Sequence, residues 1–131
     1  MRLFIDRNYT PPVIKLLTAL QNLQYPKVHE VVTEWSDDFK GADTIVFLID
    51  TNKVGLNILT TNHLADGYNV VAFKKPAGDA FDPYTCSLSM LSHWRKIFED
   101  LSESTKKKLI LIGKGKSYKA TDNIFFPQTH K

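Results

Sequence analysis

Cysteine is nearly missing from this chain. Cys86 stands alone among 131 residues, so no internal disulfide can form, and no Cys/His spacing offers a zinc site. That usage predicts a cytoplasmic protein. Long apolar runs are missing too: none approaches the roughly 18 residues that a membrane-spanning helix needs. The amino-terminal MRLFIDRN is too short and too polar for a secretion signal. GKGKS at residues 113–117 lacks the GxxxxGK[ST] spacing of a phosphate loop. No membrane partner is expected.

The length suits one domain, and a chain this long buries enough surface to fold without staples. Apolar residues make up 43% and charged residues 24%, a globular balance. The net charge is only +3, but it is unevenly spread: from Thr105 to Lys131 there are seven lysines and a single acid, Asp122. The chain therefore divides into an α/β domain over residues 1–113 and a basic carboxyl-terminal extension over 114–131. Lys114, Lys116 and Lys119, with Tyr118 between them, are candidates to grip a single nucleic-acid strand by charge and stacking. A solvated tail is the alternative.

Arg2 to Ile5 reads as a short buried strand. Thr10-Pro11-Pro12 reads as a helix start with Thr10 as the cap, because proline is tolerated in the first turn. Val13, Leu16, Leu17, Leu20 and Leu23 follow at helical spacing, and Tyr25-Pro26 ends the run. Val28 to Thr33 is rich in β-branched residues and reads as a second strand. Thr44 to Ile49 (TIVFLI) is apolar on both faces, as a parallel strand covered on both sides must be. Asp50 or Thr51 is expected to cap a helix through about Asp66, with Val54, Ile58 and Ala65 near one face. Asn69 to Phe73 is a fourth strand. Asp82-Pro83 opens the clearest helix, on which Tyr84, Leu88, Leu91, Phe98 and Leu101 repeat, widened by Met90, Trp94 and Ile97. Lys108 to Ile112 is a last strand. The order β-α-β-β-α-β-α-β predicts an α/β fold: a three-layer, mostly parallel sheet.

Two short stretches nearly repeat. FIDRN (4–8) and FLIDTN (47–52) each run from large apolar residues into Asp-x-Asn. In a parallel sheet Asp6 and Asp50 would lie at the carboxyl edge of the strands, where ligands bind. If their strands are neighbours, about 4.8 Å apart, a cation between the carboxylates would relieve their repulsion. A hard ion with oxygen ligands suits that place and could orient water at a phosphoryl group. Asn8 and Asn52 could hold the carboxylates or a metal-bound water. Asp38, in the loop before the third strand, is the choice for a third acid, ahead of Glu30 and Glu34. The simpler reading is that each Asp caps its own turn. His93-Trp94 reads as packing, with Trp94 in the core stripe.

FIDRNYTPP resembles the opening of the small bacterial PIN-like proteins, and VFLID resembles their later strand ending in a second aspartate. NVVAFKKP followed by SMLSHWRKIFEDL resembles their strand and long helix carrying His-Trp. The resemblance implies a Rossmann-like fold and an endoribonuclease dependent on Mg²⁺ or Mn²⁺, of the kind found in toxin–antitoxin modules. It implies Asp6, Asp50 and Asp38 as catalytic acids, with Asp6, Asp50 and Asn8 at the metal. RNA, an antitoxin-like or other protein, and a second copy of the chain are the implied partners. Two departures favour an alternative. Arg7 stands where relatives have an acid or Thr, and EWSDDFKGAD is too short for the helix they carry there. A degenerate member that binds protein or RNA without cutting fits both.

Overall fold

Thr44–Asp50 (β3) is apolar on both sides because it lies inside a sheet covered on both faces. The computed structural model describes residues 1–23, 30–40, 43–52, 55–75, 80–102 and 107–124. The helix stop at Tyr25-Pro26, the start of the expected second strand and residues 125–131 of the basic extension lie outside them. The elements run β1 (Arg2–Ile5), a 3-10 turn (Arg7–Tyr9), α1 (Pro11–Leu23), β2 (Glu30–Val32), β3, α2 (Ile58–Ala65), β4 (Asn69–Lys74), α3 (Pro83–Ser102), β5 (Lys108–Ile112) and β6 (Tyr118–Asp122).

The six strands form one sheet in the order β2-β1-β3-β4-β5-β6. Every pairing is parallel except β5–β6. Alternation along the strands sorts the core into two layers. Leu3, Ile5, Ile45, Phe47, Val71 and Ile110 face α1 and α3. Phe4, Val46, Leu48, Val70 and Ala72 face α2 through Leu64. The expected α/β architecture and mostly parallel sheet are therefore present, with helices on both faces.

The crossovers do not all share one hand. β1–α1–β2 and β3–α2–β4 step in opposite directions along the sheet, with helices on opposite faces, so their hand is the same. β4–α3–β5 steps the same way as β3–α2–β4, yet α3 lies on the other face, beside α1. Its hand is thus opposite to theirs. Right-handed crossovers are the strong rule, so the α3 connection is the left-handed exception. As a result α3 does not cover β5 and β6 on the α2 side. There Leu109, Leu111, Lys119 and Thr121 border a hollow of about 340 Å³ with Gly55, Leu56 and Lys74.

Three local expectations are corrected. α2 begins at Ile58 rather than near Asp50, and Gly55 before it holds φ at +83°, a conformation that suits glycine. It buries Thr60 and Leu64, while Ile58 points to solvent at 79% exposure. α3 is turned relative to the expected stripe: Cys86, Ser89, Met90, Trp94, Ile97 and Phe98 are buried, but Tyr84, Leu88 and Leu91 are exposed. A helix with apolar residues on more than one flank leaves its rotation undetermined until the neighbouring layer is known.

The basic extension, weakly patterned in sequence, holds a strand: Tyr118–Asp122 pairs with β5 along its whole length. The hairpin closes with the Gly113 N–H donating to the Ser117 carbonyl at 3.0 Å, and Gly115 takes φ +70°. Two side chains anchor β6. The Tyr118 hydroxyl donates to Asp100 of α3, and the Lys108 ammonium meets Asp122 at 2.7 Å. The 113/114 boundary read from composition therefore falls inside a hairpin. Among the described residues, no helix is long and apolar enough to cross a membrane.

Candidate functional site

The chain leaves β1 toward one face and β3 toward the other, and the two strands are neighbours. Such a reversal opens a crevice at the carboxyl ends, where α/β sheets bind ligands. The loops lining it are the two Asp-x-Asn stretches. The pairing of Ile5 with Phe47 puts Asp6 level with Leu48, two residues short of Asp50. The expected adjacency of the two aspartate-tipped strands holds.

The repeated motif is local turn chemistry. The Asn8 N–H donates to Asp6 Oδ1 at 2.8 Å, and the Asn52 N–H donates to Asp50 Oδ1 at 3.0 Å. Each aspartate thus closes the same turn on the backbone of the asparagine two places on. The asparagines do hold the carboxylates, but with main-chain N–H groups. The Asn52 side chain serves its own loop, donating to the Leu56 carbonyl at 2.6 Å. Asn8 is exposed.

Asp50 is fully buried, at 0% exposure, and a buried carboxylate must be compensated. Four donors do this. On Oδ1, the Lys74 ammonium lies at 2.9 Å beside the Asn52 N–H. On Oδ2, the Asn57 N–H donates at 2.7 Å and the Thr60 hydroxyl at 2.9 Å. Burial alone would raise the pKa of Asp50. The Lys74 ammonium, the Asn57 N–H, the Thr60 hydroxyl and the Asn52 N–H outweigh it and hold the carboxyl below its ordinary range. The expected capping of α2 by Asp50 survives in altered form. The helix starts later, and the carboxylate reaches its first turn from seven residues away.

Lys74 is the residue that sequence reading missed. The β3–β4 register sets it directly opposite Asp50, and both side chains project to the α2 side. Its ammonium also donates to the Asn52 carbonyl at 2.7 Å and the Gly55 carbonyl at 2.8 Å. The only trace in the sequence is that NVVAFK, like TIVFLID, ends its apolar run in a charged residue of opposite sign.

The remaining acids do not gather around the pair. Asp38 sits in an exposed turn, its N–H bonded to Ser36 Oγ at 3.2 Å. Its neighbour Phe39 lies under the Arg2 guanidinium and accepts a hydrogen bond from Tyr68 at its carbonyl. Arg2 and Tyr68 mark the amino ends of β1 and β4, so Asp38 belongs to the edge opposite Asp6 and Asp50. Glu34 is the acid from that connection that reaches the Asp6 loop, and it pairs with Arg7. Across the α2 face lies an aromatic cluster in which the Trp35 ring meets Phe4, Phe39, His63 and Tyr68. Burial lowers the basicity of His63 against the opposing charges of Asp66 and Asp6.

A seat for Mg²⁺ or Mn²⁺ needs several free oxygen donors at about 2.0–2.1 Å from the ion. Both Asp50 oxygens are already occupied, a cation already sits on one of them, and Asp6 Oδ1 is taken by Asn8. Among the described residues no group of three His, Cys, Asp or Glu side chains converges. As arranged, the donors do not fit a divalent metal.

The lysines of the extension divide between the two faces. Lys114 borders a pocket of about 170 Å³ with Lys75, Asp82 and Thr85 near the start of α3. Lys119 borders the hollow on the α2 side. Lys114, Lys116 and Lys119 are all exposed. Tyr118 is not available for base stacking, because its ring lies on His93 at 5.0 Å and its hydroxyl is held by Asp100.

The crevice is bordered by strained backbone. Thr10 takes φ 68° and ψ 152°, a region that residues other than glycine avoid. Its hydroxyl has no partner among the described residues, so it does not cap α1 through its side chain as expected; its carbonyl accepts from the Ile14 N–H instead. Thr10→Gly is expected to stabilise the protein by about 1 kcal/mol, the strain relieved outweighing the flexibility gained when unfolded. A rise in the urea midpoint with an unchanged slope would show it; a fall would place the strain elsewhere.

No protein-family profile, no curated protein and no solved structure matches this chain.

Proposed function

We propose that this chain is a PIN-like α/β domain that does not cleave RNA through a metal and instead acts as an RNA-binding module. The carrying observation is the Asp50–Lys74 ion pair at 2.9 Å with 0% exposure of the aspartate. A catalytic carboxylate of the implied kind must offer lone pairs to an ion, whereas this one offers them to an ammonium, two N–H groups and a hydroxyl. Arg7 and the short connection before β3 agree with that reading. The RNA half rests on charge: Lys114, Lys116 and Lys119 stand exposed on the β5–β6 hairpin. A phosphate backbone is the ligand that such exposed lysines recognise.

Metal-dependent ribonuclease activity is the second reading. One observation favours it: Asp6 and Asp50 do end neighbouring strands at the same edge. It requires Lys74 to leave its three oxygens.

Titration calorimetry with MnCl₂ and anisotropy with a labelled single-stranded RNA in EDTA separate the two. The expected result is no heat at millimolar Mn²⁺, RNA binding without added metal, and RNA left intact. Replacing Lys114, Lys116 and Lys119 by alanine should flatten the salt dependence by about 0.7 in log–log slope for each phosphate no longer neutralised. Heat that disappears in Asp50→Asn, together with Mn²⁺-dependent cleavage, would establish the nuclease instead. Binding unchanged in the triple variant would remove the lysines from the proposal.

A further inference from the structure

The Lys74 ammonium has three N–H donors, and the structure gives each a partner: Asp50 Oδ1 at 2.9 Å, the Asn52 carbonyl at 2.7 Å and the Gly55 carbonyl at 2.8 Å. One carboxylate oxygen and two main-chain carbonyls around a single point of positive charge are the ligand types that hard cations take from proteins. Asp50, Asn52 and Gly55, between the end of β3 and the start of α2, supply them. Asn52 ties itself to the Leu56 carbonyl, and Gly55 adopts φ +83°, the conformation that turns the chain back. Three oxygens therefore surround a cation, and the cation is a side chain from the next strand.

We infer that Lys74 is a built-in replacement for a bound ion: its ammonium fills an oxygen-lined cation site made by Asp50, Asn52 and Gly55, and a Ca²⁺-type ion takes that site once the ammonium is removed. The inference rests on the non-catalytic reading above and extends it, since it says what neutralises the crevice and how. Ca²⁺ is favoured over Mg²⁺ because it accepts carbonyl ligands in irregular geometry at about 2.3–2.6 Å. That requires only a small contraction of the oxygens now around nitrogen. Asp50 Oδ2 stays with Asn57 and Thr60, so the ion would bind Oδ1 from the side that Lys74 now occupies.

The probe is CaCl₂ alone, and the readout is the thermal midpoint of the full chain followed by circular dichroism. The wild-type midpoint should not move. Lys74→Ala should melt lower and recover by about 3–6 °C at a calcium concentration roughly ten times the dissociation constant. The double variant Asp50→Asn with Lys74→Ala should not recover, because the carboxylate is gone. If Lys74→Ala is unfolded without metal, folding on adding CaCl₂ supports the site, and remaining unfolded overturns it. A folded Lys74→Ala whose midpoint ignores calcium overturns it as well and leaves the non-catalytic reading standing. A wild-type midpoint that rises with calcium and fails to rise in Asp50→Asn overturns that reading instead.

Discussion

Asp50→Ala is expected to destabilise the protein by about 3–5 kcal/mol, the cost of leaving one partner of a buried ion pair uncompensated. Four donors lose their acceptor at once: the Lys74 ammonium, the Asn52 N–H, the Asn57 N–H and the Thr60 hydroxyl. The last two belong to the start of α2, so the loss reaches the helix and is not confined to the crevice. Urea unfolding monitored by circular dichroism would measure it. Asp50→Asn keeps an acceptor oxygen but not the charge, so its stability should fall between those of wild type and Asp50→Ala. A cost below about 1 kcal/mol for alanine would mean that the pair behaves as an exposed one, contrary to its burial.

The same carboxylate sets an acid limit. Its folded pKa lies below its unfolded one, so its contribution to stability is complete above the ordinary carboxyl range near about pH 4. That contribution is lost as pH falls through the depressed folded value. The gap in urea midpoint between wild type and Asp50→Asn should therefore be constant near neutrality and close below about pH 4. A gap that opened toward alkaline pH would point to another group.

Trp94→Ala is the second large effect, expected at about 3–5 kcal/mol. Trp94 stacks on Phe47 at 5.7 Å and meets Phe98 edge-on at 5.1 Å, joining α3 to β3, one of the two central strands. Truncating it opens a cavity where two layers meet. Among the described residues the indole N–H has no hydrogen-bond partner, so Trp94→Phe gives up no polar interaction there and should cost well under half as much. Equal losses in the two variants would mean that ring volume is not what holds the helix.

Much of the fold could be read from residue patterns, for reasons that also explain the failures. β3 and β4 are apolar on both faces, as strands buried from both sides are. α1 has one apolar stripe and one face to bury. β6 escaped because YKATD alternates weakly and carries as much charge as a loop; it becomes a strand through its partner β5, not through its own composition. The rotation of α3 escaped because Tyr84-Leu88-Leu91 and Met90-Trp94-Ile97 are both plausible stripes, and the choice is made by α1 and the sheet. At the site, the placement of Asp6 and Asp50 was legible, since both end apolar runs. The partner of Asp50 was not, because Lys74 reaches it through strand register, which a single sequence does not display. Asp38 was misplaced because the connection between β2 and β3 turns back toward the amino edge as it crosses β1.

The reversed hand of the α3 crossover shapes how this chain can fold. Had α3 packed beside α2, the second half of the molecule could have assembled from neighbours in sequence. Instead α3 settles against α1, so one entire layer waits for two segments some sixty residues apart in the chain, Pro11–Leu23 and Pro83–Ser102, to meet. Assembly that depends on such distant pairings is slow, because loop closure comes before the interactions that reward it. A nascent chain emerging in order would hold the apolar flank of α1 bare until Met90, Trp94 and Ile97 arrive to complete it. Among the described residues, the third helix is therefore the one that completes the packing of the first.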